Sequence, residues 1–186
     1  MCSSDLTGWY AAAPWSRRKA LTVQGTAVTA PLTDPVVLVQ VVDADLAGHA
    51  QADGSDFRFA AADGTTTLVH QIERWDPATG TLSAWVRVPS LPAATDTTLY
   101  LYYGAADAPD RQRPRAVWSA DVAVWHFERD PTGPAPALAD LGPERHDGLG
   151  RGTPVRVATD SGWAADLEAG DRFESRSEDT RLNSSH

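Results

Sequence analysis

Twenty-five acidic residues, five histidines and seven tryptophans are the side chains of this 186-residue chain whose chemistry is worth asking about first. Asp53, Asp56 and Asp63 lie close together in loops that flank one expected strand. Their carboxylates are the hard oxygen ligands that calcium takes, although the spacing fits no EF-hand loop. Asp-Gly pairs of the same kind are also ordinary turn formers. Glu73 would need a second acid within reach to work on a glycosidic bond, and Asp76 is its only near candidate in sequence. His49, His126 and His146 are scattered without metal-ligand spacing. His70 alternates with Leu68 and Ile72 and is expected to point into a core. No Gly-x-Ser-x-Gly elbow is present. These residues therefore read as non-catalytic.

The tryptophans are Trp9, Trp15, Trp75, Trp85, Trp118, Trp125 and Trp163. An indole offers a sugar ring a flat apolar face and a polar edge, and it also fills the core of a small sandwich. Trp75 stands at a strand end beside a turn and is the ligand-binding candidate, while Trp85 should face away from Ala84, Val86 and Val88.

The elements that must position these groups are short strands. Arg17–Gln24 is the first, and Val36–Val42 is apolar on both faces, the pattern of a buried central strand. Phe57–Ala61 sets Phe57 and Phe59 against Arg58, and Leu68–Trp75 sets Gln71 and Glu73 against Leu68, His70 and Ile72. An Asp63-Gly64 turn joins those two as a hairpin, which predicts a cross-strand Arg58–Glu73 ion pair. Leu82–Val88 and Thr97–Tyr103 complete the set, with turn chemistry at Asp76–Gly80. No comparable window has a helical period. Strands at this spacing indicate an all-β sandwich or barrel.

After Gly104 the composition shifts to a polar linker, then to an aromatic strand at Val122–Phe127 and weak strands near Val155 and Trp163. Met1–Leu6 and Arg176–His186 share no pattern with the rest and read as translated adapter sequence, so residues 1–8 and 176–186 are set aside. With them goes Cys2, the only cysteine, and the net charge moves from −9 to −8 because Asp5 is lost while the tail charges cancel. An acidic chain whose single lysine is Lys19 is a poor partner for nucleic acid. No apolar stretch approaches the ~20 residues needed to span a bilayer.

Residues 9–118 resemble the bacterial and archaeal family called domain of unknown function 2341. The resemblance rests on Trp15 with Arg17-Arg18-Lys19, Pro35–Val41, Gly54-Ser55-Asp56-Phe57-Arg58-Phe59 and Asp63-Gly64. It continues through Ile72-Glu73-Arg74-Trp75-Asp76, Trp85–Pro89 and Leu99–Gly104. Residues 119–175 resemble the opening of a concanavalin A-like or laminin-G-like domain, cut short. Val124–Phe127 resembles its first strand, Asp140–Gly148 its acidic turn, and Gly162–Leu167 a later strand.

The resemblance implies an antiparallel, jelly-roll-like β-sandwich followed by an incomplete second one. It implies a surface or periplasmic role and no activity. The function expected with it is a non-catalytic, exported binding or adhesion module of a larger cell-envelope protein, with a polysaccharide or surface protein as partner. The alternatives are a structural periplasmic domain of a MotA/TolQ/ExbB-type proton channel and an accessory domain of a carbohydrate-active enzyme. No cofactor is called for beyond calcium at the three aspartates. The severed second module should leave Trp125, Phe127 and Leu167 exposed or packed onto the first.

Overall fold

Seven-residue runs of β-branched and aromatic side chains, each closed by Gly, Pro or Asp, dictate strands, and strands are what form. A computed structural model describes residues 15–121, 123–134, 137–160 and 162–175. Trp9, Met1–Leu6 and Arg176–His186 lie outside these. The chain divides between Val117 and Trp118 into two units.

The first unit contains β1 (Arg17–Val23), β2 (Leu32–Thr33), β3 (Val36–Val42), α1 (Ala44–His49), β4 (Arg58–Ala60) and β5 (Thr67–Leu68). It continues with β6 (His70–Asp76), β7 (Thr81–Arg87), β8 (Ser90–Leu91), β9 (Thr97–Tyr103) and α2 (Pro114–Val117). All pairings are antiparallel. One sheet has the order β1-β9-β4-β5, a second β3-β7-β6, and β2 pairs with β8. This unit is an antiparallel β-sandwich. Phe57, Phe59, Leu68, Leu99, Leu101 and Tyr103 of the first sheet side meet Leu82, Ala84 and Val86 of β7 in one core.

The β6–β7 hairpin turns on Asp76–Gly80, where Gly80 has φ +71° and a side chain would collide with the Asp43 carbonyl. The Asp63-Gly64 hairpin forms as the turn chemistry predicts, with Phe59 opposite Leu68. Three expectations are corrected. Leu68–Trp75 is not one strand, because the chain leaves the first sheet after Leu68 and enters the second at His70. Arg58 and Glu73 therefore sit in different sheets and are not cross-strand neighbours. Val36–Val42 is an edge strand and not a central one: Val37, Val39 and Val41 pack on the core, while Leu38 and Val42 are exposed. Arg58 itself is buried and spent on other partners. Its guanidinium donates to the carbonyls of Ser55 (2.9 Å), Phe57 (2.6 Å) and Pro109, beneath the Trp15 ring.

A further difference is α1. The loop after β3 winds into a short helix because the Asp43 carboxylate accepts the Asp45 amide at 2.8 Å and Leu46 plugs into the core.

The second unit holds β10 (Gly148–Arg151), β11 (Val155–Ala158), β12 (Trp163–Asp166) and β13 (Arg172–Ser175), paired β10-β13 and β11-β12. The strand expected at Val122–Phe127 is not formed in the described part, where Trp125 makes a single bridge to Asp140.

Candidate functional site

At one end of the sandwich, α1 brings ionisable groups against β1 and β9. Lys19 meets Asp43 at 2.5 Å, and Tyr103 donates its hydroxyl to the Asp45 carboxylate. Burial first, and the Asp45 bond second, push the Tyr103 hydroxyl well above the ordinary phenol range. His49, at the end of α1, has Nδ1 2.9 Å from the Asp45 carbonyl and 3.1 Å from its carboxylate, and Nε2 2.8 Å from the Arg17 guanidinium. Both imidazole nitrogens are thus engaged. The Nε2 lone pair that a general base would use accepts from Arg17 instead. Asp45 and His49 were joined by an i, i+4 spacing that only a helix makes meaningful.

Beyond His49 the chain is clamped by side chains that bond backbone. Asp56 is fully buried, and its two oxygens accept the amides of Gln51 (2.9 Å), Gly104 (2.6 Å) and Ala105 (3.1 Å). Gln51 Nε2 donates to the carbonyls of Ala105 (2.6 Å) and Ala108 (3.1 Å). Gly104 must be glycine here: its φ is +80° and a Cβ would strike Ser16 Oγ. Between residues 49–53 on one bank and Gly104 and Ala106 on the other lies an open groove of about 550 Å³.

The three calcium candidates do not converge. Asp53 is exposed and accepts from the Ser55 amide (3.0 Å) and hydroxyl (2.6 Å). Asp56 is spent on amides, as above. Asp63 caps its own hairpin turn through the Thr65 and Thr66 amides and the Thr66 hydroxyl, which holds its pKa down at about 2, with the hydroxyl the largest cause. Among the described residues, no group of three or more His, Cys, Asp or Glu side chains is placed to hold a metal. Asp53 and Asp63, each followed by glycine, hold local turns, whereas Asp56 ties together backbone far apart in sequence.

Trp75 is half-buried. Its ring meets Phe57 edge-on at 4.8 Å between centroids, and its indole N–H donates to the Gln51 carbonyl at 3.1 Å. A bulge at Glu73 turns it inward, so that it sits opposite Leu82. Through the indole bond it is tied to the bank of the groove that contains Gln51. Glu73 accepts the Trp85 indole N–H at 3.2 Å, and Asp76 caps the next turn, so the two acids serve different partners. His70 does point inward, against Phe59. Neither ring nitrogen meets a partner of ordinary geometry. Burial holds its pKa down at about 4, with the Leu68 backbone opposing.

In the second unit, Asp140 is fully buried and accepts the amides of Val124, Gly142 and His146, each at 2.7 Å. Trp125 is half-buried and donates to the His146 carbonyl (2.9 Å), and Phe127 lies 5.2 Å from Phe173. These two pack on partners of their own unit, whereas the expectation was that severing would leave them exposed or packed onto the first module; Leu167 is exposed.

Residues 53–132 match the model of the family described as Domain of unknown function (DUF2341). The match is a similarity over less than half the chain. It takes in Asp56, Gly104 and Ala105 of the clamp but not Gln51, together with the Asp63 turn, β6, β7 and β9, and runs past the division at Val117; the blocks before Asp53 lie outside it. No curated protein and no solved structure matches the chain. Among the described residues, no helix is long and apolar enough to cross a membrane.

Proposed function

We propose that this chain is a non-catalytic binding module of a larger exported cell-envelope protein, taking a polysaccharide or a surface protein in the groove beside α1. The observation that carries the reading is the way that groove is built. Its banks are loops, yet Asp56 and Gln51 lock both to each other, so exposed polar groups at His49 and Asp53 are presented without mobile side-chain scaffolding. Preorganised loops lose less entropy on binding a flexible chain. The concavity is open and mixed in polarity, which suits an extended polar ligand better than an enclosed apolar one. The lectin-like reading of the second unit belongs to the same proposal and is supported by the β11–β12 ladder, which carries an exposed Trp163.

The test is titration of the whole chain with a panel of cell-wall and plant polysaccharides. Binding is expected at Kd of about 10 µM to 1 mM. Ala52→Arg and Ala106→Trp, which fill the groove from either bank, should abolish it without changing the circular dichroism spectrum. A flat response across the panel, or binding that survives both substitutions, overturns the assignment.

A further inference from the structure

Sheets end in edges, and an edge strand offers unpaired amides and carbonyls to any passing strand. The sandwich's two larger sheets have four such ends, β1, β5, β3 and β6. Three are guarded. β6 is covered by the segment after β9: Arg113 donates its amide to the His70 carbonyl (2.9 Å), and the Ile72 amide donates to Gln112 Oε1 (2.6 Å). β5 is two residues long, and β1 carries Arg17, Arg18 and Lys19. Among the described residues, β3 has no such guard. It runs for seven residues without a charge, it has β7 as its only strand partner among the described residues, and Leu38 and Val42 are 36% and 76% exposed.

We propose that this edge pairs with β3 of a second copy of the chain, antiparallel, about a two-fold axis at Val39. The two three-stranded sheets then become one sheet of six. The occupant is read from the strand itself, Val-Val-Leu-Val-Gln-Val-Val, which is the same in both directions except for Leu38 and Gln40. A two-fold interface requires a surface complementary to itself, and a palindromic uncharged strand is one.

The register follows from the pleat. Val37, Val39 and Val41 face the core, and their neighbours face outward. A pairing centred between two residues would set inward side chains opposite outward ones, so the axis must pass through a residue. Centring on Val39 uses the whole strand. Val36 then faces Val42 of the other copy, Val37 faces Val41, and Leu38 faces Gln40. Pairing stops at both ends, because Pro35 has no amide to give and Asp43 is turned away into the α1 cap and bridged to Lys19. A single strand edge covers less area than the ~1,200 Å² of a stable interface, so the dimer is expected to be weak and to dissociate on dilution.

Sedimentation velocity on the full chain between about 1 µM and 300 µM tests this. The mass should rise with concentration from 19.9 kDa toward twice that value. Leu38→Lys with Gln40→Lys places lysine opposite lysine at two points and should hold the chain monomeric throughout. Leu38→Glu with Gln40→Lys places glutamate opposite lysine twice and should restore the dimer, more weakly as salt is raised. Both sites face solvent, and circular dichroism checks that each variant keeps its fold. A second readout needs no substitution: amide exchange in β3 should slow as concentration rises, while exchange in β1 stays constant. A wild-type chain monomeric across the range, a dimer indifferent to the two lysines, or a folded Glu/Lys variant that stays monomeric overturns the proposal.

Discussion

The two units of this chain solve the same problem with different materials. In the first, two sheets face each other over Phe57, Phe59, Leu82, Ala84, Val86 and Leu101, all fully buried. In the second, four strands of four residues form two separate ladders, and the buried apolar side chains among the described residues are the small or short ones of Pro131, Ala137, Leu138 and Pro154. Val155, Trp163 and Leu167 are exposed there. Yet each unit has one buried aspartate that collects three backbone amides, Asp56 in the first and Asp140 in the second. In the sandwich that clamp is added to a core. In the second unit it stands in place of one. Apolar burial, at about 25 cal/mol per Å², is what small units lack first.

The sharpest way to break the comparison is to remove one phenylalanine from each unit. Phe59→Ala opens a cavity between Leu68, Leu101 and His70 and should cost about 3–5 kcal/mol in urea unfolding. Phe127→Ala removes a half-buried ring tilted against Phe173 and should leave the main transition where it was. Equal shifts would mean that the second unit has a core of its own.

Acid separates the units next. His70 is neutral in the fold and its pKa is about 4, against 6.5 when unfolded. The unfolded chain binds the proton first, so stability is full above pH 6.5 and falls as the pH drops from 6.5 toward 4, by about 3 kcal/mol over the window. His70→Phe should remove that slope in melts recorded from pH 7 to 4.5. Asp140 works the other way. Burial raises its pKa, but the amides of Val124, Gly142 and His146 outweigh that and lower it below 3.8. Its contribution is present above pH 3.8 and is lost as the pH falls through the lowered value. Between pH 6.5 and 4, the sandwich should weaken while the Asp140 turn keeps its amide protection.

The legible parts of the fold are those decided within a few residues. Thr97–Tyr103 is a run of strand-forming Thr, Leu and Tyr stopped by Gly104, and β9 matches its expected bounds, while Asp63-Gly64 makes the hairpin its chemistry requires. What could not be read is which strand lies beside which. The stretch from Leu68 to Trp75 keeps its alternation across Val69, although the chain changes sheets there, because period 2 carries no information about partners. Val36–Val42 has the composition of a central strand, and only the order β3-β7-β6 makes it an edge. Arg58 lies on the face opposite Phe57 and Phe59, as alternation requires, and alternation could not show that Trp15 and the loop at Pro109 cover that face. The groove had the same obstacle. Asp56 was noticed as a carboxylate, but its amide donors come from Gln51 and from Gly104 and Ala105, about fifty residues on.

Those two aspartates give the third contrast. Asp56→Ala strands three amides, two of them beside the groove, and should cost about 2 kcal/mol while the sandwich still folds. Its visible effect should be faster amide exchange at Gln51, Gly104 and Ala105. Asp140→Ala should do more with the same chemistry, releasing amide protection across Val124–Gly148, because no apolar layer there holds the turn once its carboxylate is gone. A local response confined to the three donors in both variants would mean that the second unit is not organised by Asp140.

The smallest effect is expected at Trp163, and it tests whether the exposed ladder of the second unit is built for its own stability. The Arg156 guanidinium lies 3.3 Å from the Trp163 ring centroid, across a ladder in which Ala158 faces Trp163. A cation over an indole at an exposed site contributes about 0.5–1 kcal/mol. Trp163→Ala should therefore loosen β11 and β12 slightly, seen as faster exchange of the Arg156 and Ala158 amides, and leave the sandwich transition unmoved. Arg156→Lys keeps the charge but loses the planar stack, and should reproduce part of that loosening. If Trp163→Ala instead lowers the main transition, its ring is supporting more than the ladder, and the second unit's stability would have to be assigned to apolar contacts after all.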